Sequence, residues 1–226
     1  MLAPTPARPD SDSDPDFSTL ETACRQLDIE LTQSQYDSLI RYTRLLRDWN
    51  QRINLVSRRD TGRILCYHAI DSLAVQRLIP QGARVCDVGT GAGLPGIPLV
   101  IVRPDLKMLL IESSQKRSRF LQTAITELGL NNVEVLNERA ESLPPLECDV
   151  VLSRLAGQLD DVVRYASSHR RLGGTIVLYK TRDCSSELAK AGRLLARNRL
   201  RVAGSHDVLL PLSGVPRRFI VLGPSR

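Results

Sequence analysis

The stretch that most constrains the fold of this chain is DVGTGAGLPGIP, residues 87–98. Its four glycines stand between a β-branched run that ends at Val88 and an apolar run that begins at Gly96. Glycine allows positive φ and lets another group approach the backbone closely. In open α/β sheets, ligands bind at such turns, beyond the carboxyl ends of the strands. The stretch therefore predicts an α/β sheet with a ligand at this turn.

Strand-like and helical runs alternate from residue 84 to the end of the chain. The predicted strands are 84–88, 107–112, 133–137, 149–153, 175–180, 200–209 and 217–222, and the predicted helices are 96–102, 114–128, 158–169 and 186–198. This alternation is typical of a parallel sheet with helices on both faces. The link 210–216 is too short for a crossover helix, so the last two strands are antiparallel neighbours. We predict an α/β fold with a seven-stranded, mostly parallel sheet.

Composition divides the chain into three segments. Residues 1–18 contain four aspartates and four prolines and have little apolar surface to offset ordering, which predicts a disordered acidic tail. Residues 19–80 show helical periodicity, with Thr32 as the N-cap of one helix and another helical stretch over 62–78. We therefore predict a helical N-terminal extension over 19–80 and a ligand-binding α/β domain over 81–226.

The charge of the chain favours a phosphate-bearing partner. The net charge is +6, and 27 of the 31 basic residues are arginine, the side chain best suited to phosphate. Many of them fall in the helical extension, at Arg41, Arg44, Arg47, Arg52, Arg58, Arg59 and Arg63. These positions form either a solvated helix face or an RNA-facing patch, and their number slightly favours the patch.

Cysteine spacing and hydropathy exclude several classes of protein. The five cysteines are at least 20 residues apart, which fits neither a metal array nor a disulfide framework, so we predict no metal. No apolar run is long enough for a membrane span, and the first residues lack the pattern of a signal peptide. We expect a cytoplasmic protein with reduced cysteines, monomeric and without membrane association.

Two ligand classes fit the glycine turn. Gly91-x-Gly93-x-x-Gly96, with Glu112 in the following strand, matches the fingerprint of NAD-type dinucleotide binding. The proline positions and the carboxylate of Asp87 point instead to S-adenosylmethionine. A carboxylate at the strand end suits an ammonium group and repels a pyrophosphate. Pro95 and Pro98 remove amide donors that a phosphate would need, and the terminal antiparallel hairpin suits a methyltransferase sheet.

Five segments together resemble one family. They are Trp49-Asn-Gln-Arg-Ile-Asn-Leu55, His68-Ala-Ile-Asp-Ser-Leu73, the stretch 87–98, Lys116-Arg-Ser-Arg-Phe-Leu121 and Ser153-Arg154. With these motifs the chain, from about residue 32 to residue 222, resembles the RsmG (GidB) family of small-subunit ribosomal RNA methyltransferases. The resemblance implies a Rossmann-like class I S-adenosylmethionine methyltransferase fold. It also implies methyl transfer to N7 of a guanine in 16S-type ribosomal RNA, free or within the small subunit.

The resemblance also implies roles for individual residues. The cofactor positions would be Gly89, Leu94, Glu112, Ala140, Glu141 and Arg154, and the loop residues Asp87, Gly91 and Gly93 complete the predicted cofactor site. Arg139, Arg154, Lys180 and Arg217 would be the basic catalytic positions near the target base. The chain departs from the family pattern at Leu155 and Thr181.

The chemistry of N7 methylation needs no general base, because this nitrogen carries a lone pair and no proton. The enzyme has to align the reactants, while Arg154 and Lys180 engage O6 of guanine or nearby phosphates. Cys148 lies at the start of the fourth strand, at the wrong end for a nucleophile, and is expected to be a small buried hydrophobe. His68 is expected to hydrogen-bond into the core, and His169 to lie at the surface or a strand end. Two alternatives remain, a dinucleotide-dependent oxidoreductase and a noncatalytic ribosomal-RNA binding module.

Overall fold

A computed structural model describes residues 14–154, 159–180 and 184–225. Its strands are β1 (Arg84–Val88), β2 (Lys107–Ile111), β3 (Val133–Leu136), β4 (Cys148–Ser153), β5 (Arg170–Lys180), β6 (Leu200–Leu209) and β7 (Pro216–Pro224). They form one sheet in the order β3-β2-β1-β4-β5-β7-β6. Strand β7 is antiparallel to both of its neighbours, and the other pairs are parallel. The predicted seven-stranded, mostly parallel sheet is confirmed.

The helices flank the sheet or precede it. They are α1 (Phe17–Arg25), α2 (Gln33–Asn50), α3 (Ile70–Leu73), α4 (Gly96–Val102), α5 (Gln115–Leu128), α6 (Leu159–His169) and α7 (Ser185–Arg197). Helix α2 begins with the predicted N-cap. The Thr32 hydroxyl accepts from Gln35 N at 3.2 Å, and the Gln35 side chain accepts from Thr32 N at 3.0 Å. This reciprocal capping box satisfies two amide donors at the start of the helix.

The continuous helical stretch predicted over 62–78 is wrong in detail. The chain there forms a 3₁₀ turn (Arg58–Arg63), a π-helical segment (Ile64–Ala69), the short helix α3 and a second 3₁₀ turn (Gln76–Leu78). Buried residues spaced three or four apart fit a tight, regular or wide turn equally well. Periodicity in the sequence therefore predicted helical structure here but not the width of each turn.

The acidic tail predicted over 1–18 ends too late. Helix α1 begins at Phe17, and the Asp16 carboxylate caps it by accepting from Thr19 N at 2.8 Å. Asp14 forms an ion pair with Arg47 of α2. An aspartate just before a helix is a favourable N-cap, so the last aspartate of the acidic run marks the start of a helix rather than disorder. Residues 1–13, Leu155 and Thr181, on which other predictions fall, lie outside the described residues.

The N-terminal extension shares a hydrophobic core with one face of the sheet. Leu39 and Leu46 of α2 belong to the same buried cluster as Val85 of β1 and Leu110 of β2. A second cluster on the opposite face packs α6 and α7 against the sheet. Residues 19–80 therefore form a layer of the sheet's own core. No helix within the described ranges is long and apolar enough to cross a membrane.

Candidate active site

The glycine turn lies between β1 and α4, at the carboxyl edge of the sheet. Gly89, Gly91 and Gly93 all have positive φ, at 68°, 60° and 83°. The turn is anchored to the end of β2, because Gly89 N and Thr90 N both donate to the Ile111 carbonyl, at 3.0 and 3.1 Å. A Cβ added to Gly91 would find no atom closer than 3.9 Å. The backbone at Gly91 is therefore open to a ligand.

Two of the four glycines serve internal packing instead. A Cβ on Gly93 would lie 2.8 Å from Cγ1 of Ile97, and one on Gly96 would overlap the Leu110 side chain. Such distances require a neighbour to move. At Gly93 and Gly96 the predicted close contact is therefore with neighbouring side chains, which lets α4 approach the sheet, and only part of the turn is left open for a ligand.

Asp87 ends β1 beneath this turn and is fully buried. Its Oδ2 accepts from the Thr90 hydroxyl at 2.6 Å and from Gly96 N at 3.0 Å. Its Oδ1 has no hydrogen-bond partner among the described residues. Burial raises the pKa of Asp87 to about 6, against the lowering effect of these hydrogen bonds. The carboxylate therefore keeps an unsatisfied buried acceptor, which a cationic donor would satisfy.

Glu112 follows β2 and braces the turn from the other side. Its Oε2 accepts from Gly91 N at 3.0 Å, and its Oε1 accepts from Ser114 N at 2.8 Å. An ionised carboxylate offers about four acceptor positions. Two positions on this buried group therefore remain for further donors.

A cavity of about 210 Å³ opens beside the turn. Its lining residues are Val88, Gly89, Ile111, Ser113, Glu138, Arg139, Ala140, Glu141 and Tyr165. The predicted cofactor residues Gly89, Ala140 and Glu141 therefore line the same cavity. Leu94 does not line this cavity, because its side chain is buried in the core cluster that includes the N-terminal helices.

His169 contacts the backbone of Ala140, one of the residues that line this cavity. It was expected at the surface or a strand end; it lies between the end of α6 and the start of β5 but is fully buried, with Nε2 2.9 Å from the Ala140 carbonyl oxygen. Its neighbours in sequence are polar, so no local pattern indicates burial. The contact became visible only when α6 was placed against the turn that carries Ala140.

A buried carboxylate joins two of the predicted basic residues. Asp71 on α3 is fully buried and accepts from Arg217 at 2.6 Å (Nε to Oδ1) and 2.8 Å (Nη2 to Oδ2). Its Oδ2 also lies 3.1 Å from Nη2 of Arg154. Arg217 belongs to β7, and Arg154 directly follows β4. Asp71 stands in one of the five motif segments, but the motif by itself does not indicate this role.

Arg154 has further partners in the same helical segment. Its Nη1 donates to the Ser72 hydroxyl at 3.2 Å, and its Nη2 lies 3.3 Å from Nδ1 of His68. Burial, together with the charge of Arg154, lowers the pKa of His68 to about 4. His68 is therefore neutral near pH 7 and accepts from Arg154. This agrees with the hydrogen-bonding role expected for it.

The remaining two basic positions are placed differently. Lys180 ends β5, the neighbour of β4, and its Nζ lies 2.6 Å from Oε1 of Glu187. Arg139 lines the cavity beside Ala140, and its side chain is 75% exposed. The structure thus joins Arg154 and Arg217 through Asp71, puts Lys180 on the adjacent strand end, and leaves Arg139 on the cavity side.

Tyr42 connects the N-terminal extension to the glycine turn. Its hydroxyl donates to the Ala92 carbonyl at 2.6 Å, and the residue is fully buried in α2. Tyr42 lies within the helical periodicity predicted over 19–80, and no residue near it in the sequence indicates this hydrogen bond. The extension therefore holds the turn through Tyr42 and the basic residues through Asp71.

Comparison with known proteins identifies the family. A model of the family described as rRNA small subunit methyltransferase G matches residues 35–207. The chain belongs to this family. One relative, the ribosomal RNA small subunit methyltransferase G of Chlorobium phaeobacteroides, is 38% identical over 177 residues, which cover 77% of this chain and 80% of that protein.

Solved structures share the fold at low sequence identity. An S-adenosylmethionine-dependent methyltransferase from Aquifex aeolicus has a TM-score of 0.52 at 19% identity, covering 72% of this chain and 93% of its own. The m1A22 tRNA methyltransferase TrmK of B. subtilis has a TM-score of 0.56 at 14% identity, covering 69% and 65%. The predicted Rossmann-like class I methyltransferase fold is confirmed.

The predicted S-adenosylmethionine-dependent methyltransferase is confirmed by the family and the fold together. The dinucleotide-dependent oxidoreductase and the noncatalytic binding module find no support. The monomeric state, the cytoplasmic location and the roles of individual site residues stay predictions.

Proposed function

We propose that this enzyme transfers the methyl group of S-adenosylmethionine to N7 of a guanine in 16S-type RNA of the small ribosomal subunit. The observation that carries the proposal is the cluster of Arg154, Arg217 and Asp71 at the carboxyl edge of the sheet, beside the glycine turn. The charge of Arg154 acts on the carboxyl of Asp87, which lies under that turn. We call Asp87, the glycine turn, Glu112 and the cavity beside Ala140 the cofactor cradle. Basic side chains that suit a guanine thus lie at the same edge of the sheet as this cradle.

The residues of the cradle fit the cofactor. Oδ1 of Asp87 is an unsatisfied acceptor that suits the ammonium group, and the free acceptor positions of Glu112 suit the ribose hydroxyls. The cavity beside Ala140 and Glu141, about 210 Å³ in volume, is lined by both apolar and polar residues and suits the adenine. Bound here, S-adenosylmethionine would supply an electrophilic methyl group held by a sulfonium.

The reaction at N7 needs alignment and no proton removal. The N7 lone pair forms the new bond to carbon as the sulfur–methyl bond breaks, and the positive charge passes from sulfur to the base. Arg154 and Lys180 would hold O6 of guanine or an adjacent phosphate, as basic side chains do at guanine edges. A cation aimed at N7 itself would compete for the lone pair.

The titratable groups in contact with the basic residues support N7 over an exocyclic amine as the acceptor, since Asp87 and Glu112 are assigned to the cofactor. Methylation of an amine releases a proton that a base has to accept. Among residues 14–154, 159–180 and 184–225, Asp71 is engaged by two arginines and Glu187 by Lys180. His68 is held by Arg154, with a lowered pKa.

Methyl transfer to small subunits tests the proposal. Purified protein and labelled S-adenosylmethionine are incubated with small subunits from a strain that lacks this enzyme, and the RNA is digested to nucleosides. We expect the label in 7-methylguanosine. Label in another nucleoside would overturn the acceptor atom, and no label despite measured cofactor binding would overturn the substrate.

A matched pair of variants tests the site. Gly91→Asp places a side chain in the open space at the turn, in a backbone conformation that aspartate tolerates better than most residues. We expect it to abolish methyl transfer. Gly192→Asp, on the exposed surface of α7 where an added Cβ would meet no neighbouring atom within 4 Å, controls for the added charge. A fully active Gly91→Asp enzyme would refute the cofactor assignment.

A further inference from the structure

A polar cavity of about 600 Å³ lies on the N-terminal extension, between the end of α2 and the 3₁₀ turn that follows it. We call it the loop groove. It is lined by Arg47, Asn50, Gln51, Arg52, Asn54, Arg58 and Thr61. Three of these seven residues are arginines and the other four are neutral and polar. The groove therefore presents positive charge and hydrogen-bonding groups with no acidic side chain in its lining.

The walls of the loop groove are held by hydrogen bonds. The Asn50 side-chain oxygen accepts from Leu55 N at 2.8 Å and from Val56 N at 3.0 Å, which folds the loop after α2 around this residue. Nε of Arg47 donates to the Thr61 carbonyl at 3.0 Å, which ties α2 to the opposite wall. Hydrogen bonds within the protein thus fix the walls of the groove.

Two arginines in the groove are available to a ligand. Arg52 and Arg58 are exposed, and neither has an acidic partner among the described residues. Guanidinium groups bind phosphate through paired N–H donors. Unpaired arginines in a concave, hydrogen-bonding groove therefore indicate a ligand that carries phosphate groups.

The loop groove lies next to the cofactor cradle. Arg117 of α5 spans the two, with Nη2 3.5 Å from the Asn54 carbonyl oxygen and Nη1 3.9 Å from Oε2 of Glu112. A chain of phosphates lying in the groove would therefore pass within one side chain of the residue that braces the glycine turn.

The acidic segment before α1 already engages one arginine of this groove. The Asp14 carboxylate meets the Arg47 guanidinium in a paired geometry, at 2.8 Å (Nη1 to Oδ2) and 2.7 Å (Nη2 to Oδ1). This is the geometry in which arginine binds a phosphate. On its other side, Asp14 lines a second cavity that also contains Arg41 and Arg44. Asp14 therefore interrupts a basic surface that runs along α2.

We propose that the loop groove binds the phosphodiester backbone of the RNA substrate, and that Asp14 competes with that backbone for Arg47. The inference rests on the proposed function, since it places the RNA of that reaction. Arg52 and Arg58 contact the phosphates, and the contact fixes the RNA relative to the cofactor cradle. Replacement of the Asp14 carboxylate by a phosphate at Arg47 adds a third arginine to the RNA contact.

Kinetics with matched variants test the RNA contact. The double variant Arg52→Ala/Arg58→Ala is compared with Arg59→Ala, which removes an exposed arginine next to Arg58 that does not line the groove. We expect the double variant to raise KM for small subunits at least about tenfold, since two charged hydrogen-bond donors are lost. We expect Arg59→Ala to leave KM unchanged. Cofactor affinity, measured by calorimetry, checks that each variant is folded.

Salt dependence identifies the ligand as phosphate. The slope of log KM against log salt should fall by about 1 for each lost phosphate contact, so by about 2 in the double variant. A raised KM with an unchanged slope would indicate contact with a ribosomal protein or a base and would overturn the proposal. Equal effects of the double variant and Arg59→Ala would overturn it as well.

Asp14→Asn tests the competition. We expect it to lower KM for small subunits several-fold, because the neutral side chain no longer competes with phosphate for the Arg47 guanidinium. An unchanged KM would refute the competitor role of Asp14. The failure of the proposed function is distinguishable throughout, because in that case the wild-type enzyme itself places no label in 7-methylguanosine. If the wild-type enzyme is active and the groove variants have the same KM as the wild type, only the proposed role of the groove is refuted.

Discussion

Removal of the Asp71 carboxylate is the most informative perturbation of the site. This buried group accepts two hydrogen bonds from Arg217 and lies 3.1 Å from Arg154, so one side chain of α3 holds two strand ends together. In Asp71→Ala both guanidiniums lose their counter-charge. In Asp71→Asn the charge is lost but an oxygen acceptor remains for Arg217.

The expected cost follows from burial. Breaking a buried ion pair by removing one partner costs about 3–5 kcal/mol, because a charge is left buried and uncompensated. The side chains of Arg217 and Arg154 are 13% and 18% exposed, so each keeps an edge toward solvent. We therefore expect Asp71→Ala to lower the free energy of unfolding by about 3 kcal/mol, at the low end of that range. Asp71→Asn should cost about half as much, because one neutral acceptor is retained.

Urea denaturation of the full chain measures the effect, and the same fold supplies a matched control. Asp207 of β6 pairs with Arg218 of β7 in the same two-point geometry, with both distances at 2.7 Å. The Asp207 side chain, however, is 40% exposed. An exposed pair contributes at most about 1 kcal/mol, so Asp207→Ala should cost less than that. The urea m-values have to agree among the variants for this comparison to hold.

Equal losses in the two variants would refute the reasoning. If Asp71→Ala and Asp207→Ala differ by less than about 0.5 kcal/mol, which is within the usual error of additivity, burial does not set the strength of the Asp71 cluster. Methyl transfer provides a second measure. A stable Asp71→Ala enzyme with wild-type kcat and KM would show that Asp71 does not position Arg154.

Three further predictions concern the glycine turn. Tyr42→Phe leaves the Ala92 carbonyl unsatisfied, so it should lower the free energy of unfolding by about 1–2 kcal/mol in urea denaturation and weaken cofactor binding in calorimetry. The Tyr36 hydroxyl donates to the Pro15 carbonyl, away from the turn, so Tyr36→Phe should leave cofactor binding unchanged. Gly96→Ala should cost about 1–3 kcal/mol by overpacking against Leu110, and Gly192→Ala, on an open helix surface, should not destabilise the protein; equal melting temperatures would contradict the packing role. The pKa of Asp87 is raised to about 6 in the folded chain, so between about pH 6 and pH 4 the cofactor-free folded protein binds a proton that the unfolded chain does not. The Asp87 contribution to stability therefore grows as pH falls through that window and is lost above it. Asp87→Asn should remove this contribution, and identical pH profiles of the free energy of unfolding for the two proteins would contradict it.

The order of elements and the position of the glycine turn could be predicted from sequence because both depend on local patterns. Alternating strand and helix runs gave the seven strands, and the short link before β7 gave its antiparallel pairing. Thr32 was identified as a cap from residues within one turn of it. Patterns of this kind are set by the period of each element and by its first and last turns.

Local patterns were less informative where several conformations satisfy them. The stripe over 62–78 fits helices of different width, and the tail boundary depended on whether Asp16 caps a helix or faces solvent. The glycines raised a similar ambiguity. Their spacing indicated close contact but not whether the partner is a ligand, as proposed at Gly91, or a neighbouring side chain, as found at Gly93.

Tertiary structure alone decided which side chains meet. Asp71 joins arginines 83 and 146 residues away in sequence, Tyr42 reaches the glycine turn 50 residues later, and His169 supports Ala140 from a helix 29 residues further on. Each contact requires one layer of the fold to dock on another at a definite height and rotation. That docking is fixed by the packing of the shared core, so the sequence determined the elements and the residue types, and the core determined the active site that they form.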